Sequence, residues 1–252
     1  MSAQIRQNIL ITGASSGLGK GMAIEFAHKG RNLALCARRL DRLQDLKVEL
    51  EQINPNITVI IKSLDVNDHD AVFTVFEEFR QALGSLDRVI VNAGMGKGAS
   101  IGTGYFNANK QTAITNFVSA LAQCEAAVGI FRQQNAGHLV NISSISAVRG
   151  FRRALNVYAA TKAALSNLSE GLRVDLMNTP IKVSTVHPGF IRSEINEKVD
   201  KVPFMVDTDV GCKAIVKAIE KEGANSYVPS WPWAVMVRIL KIAPLSWLKK
   251  MS

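Results

Sequence analysis

The strongest constraint on this chain is the spacing of its short apolar runs. "NILIT" (8–12), "LALCA" (33–37), "TVIIK" (58–62), "RVIVN" (88–92), "HLVNI" (138–142) and "VSTVH" (183–187) recur with helix-length segments between them, at 17–29, 40–52, 68–83, 107–133 and 157–177. A further helical stretch over about 208–221 precedes a last short strand near "SYVP" (226–229). The runs do not alternate apolar with polar residues, so each strand is expected to be buried on both faces. Such strands separated by helices predict an α/β fold, a doubly wound parallel sheet of about seven strands with helices on both faces. No linker, repeat or low-complexity segment divides the 252 residues, of which 47% are hydrophobic. Residues 1–230 therefore read as a single domain, and 231–252 as an apolar, basic tail rather than a second domain.

Composition closes off several classes of function. Cys36, Cys124 and Cys212 are odd in number, widely separated and without metal-ligand spacing. They read as small buried hydrophobes of a reducing, cytoplasmic compartment. The first apolar stretch is too short for a signal-peptide core, and no run of eighteen uncharged apolar residues suggests a membrane span. The net charge of +9 is concentrated in two places. Between Arg132 and Arg173 there are six basic residues against one acid, and from Gly223 to the end four against none. No nucleic-acid-binding motif accompanies them, and a phosphate-bearing small molecule accounts for basic groups near a site more economically than DNA or RNA does.

The motifs sit where such a fold binds ligands, at the carboxyl ends of the strands. After the first strand, "ITGASSGLGKG" supplies Gly13, Gly17 and Gly19 with Ser15, Ser16 and Leu18 between them. A glycine turn leading into a helix lets the backbone approach a phosphate and aims free N–H groups at it. After the second strand Ala37 stands where a carboxylate would hold a ribose 2′-hydroxyl, and Arg38 and Arg39 follow. A guanidinium grips a 2′-phosphate through paired charge-assisted hydrogen bonds, so NADP(H) is the expected cofactor, with Arg38 as its main contact. Tyr158 and Lys162, four apart, share one helix face. A neighbouring ammonium is expected to lower the phenol's pKa and make it an acid/base group.

Taken in order, T-G-x-x-x-G-x-G (Thr12 to Gly19), N-A-G (Asn92 to Gly94), Y-x-x-x-K (Tyr158 to Lys162) and "HPGF" (187–190) resemble the short-chain dehydrogenase/reductase family over about residues 8–195. The resemblance implies a Rossmann-type sheet and hydride exchange between NADP(H) and a carbonyl or alcohol. It implies Asn116, Ser144, Tyr158 and Lys162 as the catalytic set, with Lys162 also on the nicotinamide ribose. The family's serine commonly lies thirteen residues before the tyrosine, a place Ile145 holds here. Ser144 matches the second serine of the family's pair if one residue is inserted within 147–156, and Ser143 and Ser146 remain alternatives. By the same resemblance Asp65 and Val66 flank the adenine, Asn92, Ala93 and Gly94 the ribose, and Pro188, Gly189, Ile191 and Ser193 the nicotinamide. Asp65 in "DVND" suits a helix cap equally well. His187 reads as a strand-end residue with a structural hydrogen bond. A homodimer or homotetramer through the helices at 107–133 and 157–177 is a further implication.

Ala147, Val148, Phe151, Phe190, Phe204 and Met205 suggest an apolar pocket and a lipophilic ketone, aldehyde or secondary alcohol. Arg149, Arg152 and Arg153 would suit an acidic carrier or acyl thioester instead. The glycine-rich segment 94–104 reads as a mobile cover for the site. For the tail, interrupted by Pro232 and Pro244, packing against protein is the first expectation and weak contact with an anionic membrane surface the second. A non-catalytic dinucleotide sensor or scaffold on the same fold is the competing class.

Overall fold

The computed structural model describes residues 5–193 and 204–251. Seven strands, β1 (Asn8–Thr12), β2 (Asn32–Ala37), β3 (Val59–Ser63), β4 (Arg88–Val91), β5 (Gly137–Ile142), β6 (Ile181–Pro188) and β7 (Asn225–Val228), form one sheet ordered β3-β2-β1-β4-β5-β6-β7. All six pairings are parallel. Helices α1 (Gly17–His28), α2 (Leu40–Ile53) and α7 (Thr208–Glu220) pack on one face. On the other lie α3 (His69–Leu83), α5 (Ser119–Gln134) and α6 (Leu155–Asp175). Every residue of β1, β4 and β5 is buried, which is why their sequences are apolar without alternation. Phe26 on one side and Phe76, Phe79 and Phe131 on the other are fully enclosed, each contributing about 1.5–3 kcal/mol of burial. Strand order reverses between β1 and β4, so the loops leaving β1, β2, β4, β5 and β6 all open on one rim, the rim that carries the motifs.

Two expectations change on folding. The helix foreseen over 107–133 is α4 (Phe106–Ala113) and α5 joined by a π-helical turn, Ile114–Val118, that carries Asn116. Such turns recur at functional sites because the extra residue re-aims a side chain. The run Phe106–Gln134 is long and apolar enough to cross a bilayer, but 61% of its most apolar window is buried inside the fold, as a core helix is. Asp68, rather than Asp65, caps α3, accepting from the Ala71 N–H at 3.1 Å, and Gly84 at φ 81° ends that helix. Asp65 instead closes its own turn through the N–H of Asn67 at 3.0 Å.

The tail folds as α8 (Ser230–Ile242) and α9 (Leu245–Met251) and packs on the body of the protein. Trp233, Val237, Leu240 and Leu248 are buried. Arg149 closes the carboxyl end of α8 by donating to the carbonyls of Leu240 and Lys241, both at 2.8 Å, and Arg152 reaches that of Lys249 at 3.2 Å. A cation there meets the negative end of the helix dipole. Two of the three arginines set aside for an acidic substrate are thus occupied as tail clamps.

The opposite rim holds a charge cluster. Arg88, only 2% exposed, donates to His138 Nδ1 at 2.9 Å and to Glu220 at 2.7 Å, while Arg6 pairs with Glu222 at 2.8 Å. With Nδ1 accepting, Nε2 carries the proton and donates to Ser184 at 2.8 Å, so His138 is held neutral. Glu222 also approaches Nδ1, at 3.5 Å, but its carboxylate is engaged by both arginines. Burial, reinforced by the charges of Arg88 and Arg6, pushes the His138 pKa well below its ordinary 6.5. Burial also lowers that of His187. Below about pH 6.5 the unfolded chain therefore takes up protons that the folded one refuses, and stability, complete above that value, falls as pH drops through it. Thermal unfolding between pH 8 and 5 should show this loss, with a shallower slope for His138→Gln; parallel slopes would refute the assignment.

Candidate active site

The glycine loop and the Asn92–Gly94 turn are built as one piece. Thr12 Oγ1 accepts from the N–H groups of Asn92 and Ala93, both at 3.1 Å, and Asn92 Nδ2 donates to the Thr12 carbonyl at 2.9 Å. Gly13 sits at φ 66°, and a Cβ there would meet Ala93 Cα at 2.9 Å. Gly19 is under tighter constraint, since a Cβ would lie 2.3 Å from the Gly13 carbonyl oxygen. α1 begins with no side-chain cap and no acid in its first turn, which leaves its amide ends and positive dipole turned to the loop. Ser193, from beyond β6, reaches the same loop, 3.5 Å from where a Gly17 Cβ would stand.

Arg39, placed second in the sequence reading, is the arginine that reaches this loop. Its Nη2 donates to Ser16 Oγ at 2.8 Å and to Ser15 Oγ at 3.1 Å, while the Arg38 side chain is exposed at the end of β2. Beside the loop opens a cavity of about 300 Å³ lined by Ser15, Ser16, Gly17, Lys20, Arg42 and Asp45. Lys20 and Arg42 were missed in the sequence, although Arg42 falls in the first turn of α2, just past Arg38 and Arg39. Asp65 is exposed and Val66 buried at the end of β3, next along the rim.

Around Tyr158 the structure separates the three serines. Ser143 Oγ is buried and bound to the Lys162 carbonyl at 2.9 Å and to Ser166 Oγ at 2.8 Å, so it fastens β5 to α6. Ser144 Oγ accepts from the N–H of Ser146 at 3.1 Å and from its hydroxyl at 2.9 Å. With both lone pairs taken, its own proton is left to donate. Ser144 also lies beside the Tyr158 phenol, whose pKa its hydroxyl acts to lower. His187 supports it from below, Nδ1 lying 3.2 Å from the Ser144 carbonyl while the ring stacks on Tyr227.

Lys162 is buried and donates from Nζ to the Ile142 carbonyl at 2.9 Å, 5.9 Å from the Tyr158 ring centroid. Burial pushes its pKa down to about 8. Burial also pushes the Tyr158 phenol up, against the Ser144 hydrogen bond that lowers it. The depression expected from Lys162 does not act on the phenol; burial prevails over Ser144 alone, and the phenol holds its proton at neutral pH. Asn116 is pinned to the main chain of Met95, accepting from its N–H at 2.8 Å and donating to its carbonyl at 2.9 Å. A Cβ on Gly94 would fall 3.2 Å from Asn116 Oδ1 and 3.5 Å from Lys162 Nζ, so the absent side chain leaves a recess flanked by both.

Trp233, not anticipated from the sequence, packs in a buried cluster beside Gly189 and Ile145, next to Ser144. Gly189 lets its indole lie flat on the backbone, with Nε1 2.1 Å from where a Cβ would be, and Phe190 and Phe204 meet it edge-on at 5.5 and 5.9 Å. Ile145, next to Ser144, joins the same cluster, with Val148 packed against it. The signal was a tryptophan in the tail, but its address depends on a fold no local pattern reveals. Segment 94–104 is tethered, Asn109 holding both the N–H and carbonyl of Ala99 at 3.0 and 3.2 Å and Thr112 the Lys97 carbonyl.

A parallel sheet with a serine, a tyrosine and a lysine beside a glycine-lined phosphate cradle defines a nicotinamide-dinucleotide oxidoreductase. The family model for short chain dehydrogenase matches residues 7–203, and the chain belongs to that family. It is 52% identical over 239 residues, 95% of this chain and 94% of the relative, to an uncharacterized oxidoreductase of Mycobacterium tuberculosis. Among solved structures it resembles a short-chain dehydrogenase from Sphingobium yanoikuyae in complex with NADPH, at 26% identity and TM-score 0.81, covering 98% of this chain and 96% of that one. It shares its fold with a short-chain dehydrogenase/reductase from Burkholderia phymatum in complex with NAD, at 22% identity and TM-score 0.83, over 95% and 94%.

Proposed function

We propose that the protein is an NADP(H)-dependent reductase of lipophilic carbonyl compounds. The observation that carries the reading is a Tyr158 phenol kept protonated by burial beside a Ser144 hydroxyl whose lone pairs are both taken by Ser146, so that its proton, turned toward the phenol, can pass to an entering carbonyl oxygen. Two donors converging on one point fit a carbonyl oxygen that gains negative charge as it is reduced. Tyr158 gives that oxygen its proton, Ser144 holds it in place, and the buried Lys162 stabilises the phenolate left behind. A bound nicotinamide supplies the hydride. Gly13, Ser15, Ser16, Gly17, Leu18 and Gly19 would hold its phosphates, Asp65 and Val66 the adenine, and Asn92, Ala93, Gly94, Tyr158 and Lys162 the ribose. Pro188, Gly189, Ile191 and Ser193 would border the ring. Asn116 positions Met95 and the floor beside Lys162. The apolar wall of Ile145, Val148, Phe190 and Trp233 supports a lipophilic substrate over an acyl carrier, since Arg149 and Arg152 are engaged by the tail. A homodimer through α4–α5 and α6 belongs to the same reading, supported by exposed Val118, Leu121 and Val174 on those helices.

Preference for the 2′-phosphate is supported by Arg38 and Arg39 at the end of β2 and by the absence of a carboxylate at Ala37. Thermal-shift titration should give tighter binding of NADPH than of NADH. In Arg38→Ala/Arg39→Ala the affinity for NADPH should fall about a hundredfold, about 2.8 kcal/mol, with NADH changed only a few-fold. Equal response of the wild type to both nucleotides would remove the NADP(H) assignment. No response to either would favour a scaffold on the same fold.

A further inference from the structure

α8 is apolar on two opposite faces, and the fold buries only one. Trp233, Val237 and Leu240 turn inward, while Val235, Ile239 and Ile242, spaced as i, i+4 and i+7, form a stripe on the far side. Trp231 precedes the stripe and Leu245 and Trp247 of α9 follow it. Ile242 is 84% exposed, and Trp231 and Leu245 are each 75% exposed. Single exposed hydrophobics are ordinary, but six in one contiguous segment mark a surface that meets something apolar. The charge of the same segment says what that is. From Gly223 to the end the chain carries Arg238, Lys241, Lys249 and Lys250 and no acidic residue. Arg238, Lys241 and Lys249 are exposed beside the apolar stripe.

We propose that α8 and α9 form an interfacial anchor that docks the protein on an anionic lipid bilayer. In this arrangement the stripe enters the boundary between headgroups and acyl chains, Trp231 and Trp247 sit at headgroup level, and the basic side chains meet lipid phosphates. A second copy of the chain fits the face poorly. A two-fold contact would bring four basic residues from each tail together with no acid to offset them. The segment lies on the membrane rather than across it, because α8 has 13 residues, short of the roughly 20 a span requires, and Pro244 separates it from α9. The inward face of α8 is the Trp233 wall beside the catalytic serine, so docking sets that wall one helix diameter, about 10 Å, from the lipid. Docking itself does not depend on which carbonyl compound is reduced.

The test is flotation of the purified full-length protein with vesicles of phosphatidylglycerol and phosphatidylcholine (1:1) against vesicles of phosphatidylcholine alone. At low salt the protein should float with the anionic vesicles at least tenfold more than with the neutral ones, and half-molar salt should release much of it. Ile242→Glu/Leu245→Glu should lower binding at least tenfold while its thermal response to NADPH stays that of the wild type, which also shows that the variant folds. Should that pair misfold, Arg238→Glu/Lys241→Glu serves as the second variant and should lose the preference for anionic lipid. Absence of flotation at low salt, or flotation unchanged by either variant, overturns the proposal. So does a lipid-free dimer that Ile242→Glu/Leu245→Glu converts to monomer, which would assign the face to a second copy.

Discussion

Replacing Tyr158 by phenylalanine is expected to lower kcat by 10²–10⁴-fold, about 3–5 kcal/mol of barrier, with NADPH binding unchanged. The ring stays, so packing along α6 stays, and only the hydroxyl beside Ser144 is removed. The loss is expected on kcat because the proton is given only as the carbonyl is reduced, while removal of one hydroxyl leaves apolar contacts untouched. Ser144→Ala should follow in the same direction and by less, and Ser143→Ala should act mainly on stability, since its hydroxyl is spent fastening β5 to α6. A Tyr158→Phe variant that keeps near-wild-type turnover would transfer the proton-donor role elsewhere and leave the proposed mechanism without its centre.

The second large effect lies at Gly19. Alanine there places a methyl carbon 2.3 Å from the Gly13 carbonyl oxygen and 2.8 Å from Asn92 Nδ2, and the first of these neighbours is backbone that cannot swing aside. α1 must then shift away from the loop, which costs about 1–3 kcal/mol as overpacking does. For a chain of this size that corresponds to a fall of roughly 2–12 °C in Tm. The distinguishing outcome is functional: the amide ends of α1 move off the phosphate position, so the thermal response to NADPH should vanish even where the apo protein remains folded. Gly19→Ala with wild-type nucleotide response would mean that the cradle is not where the phosphates bind.

The strands were legible because burial on both faces leaves a continuous apolar run, and the glycine loop because a tight turn has few chemical solutions. Tyr158 and Lys162 were legible because four residues is a helical turn. What the sequence withheld depends on side-chain geometry that only the fold sets. The choice of Ser144 rests on Ser146 filling its lone pairs and on Ser143 turning to Ser166. The roles of Arg38 and Arg39 turn on which one the twist at the end of β2 aims at Ser15 and Ser16. The π-helical turn at Asn116 leaves no mark in composition. The rise rather than fall of the Tyr158 pKa is a matter of desolvation, which spacing does not encode.

Three tryptophans divide into two optical populations. Trp233 is enclosed against Phe190 and Phe204, and Trp231 and Trp247 face outward. Fluorescence from the first will be blue and sensitive to the packing around Gly189 and Phe190; from the other two it will be red and sensitive to the polarity outside. The chain thus carries its own pair of dyes, one facing the chemistry and one facing the surroundings, and a single emission spectrum can follow both without any label.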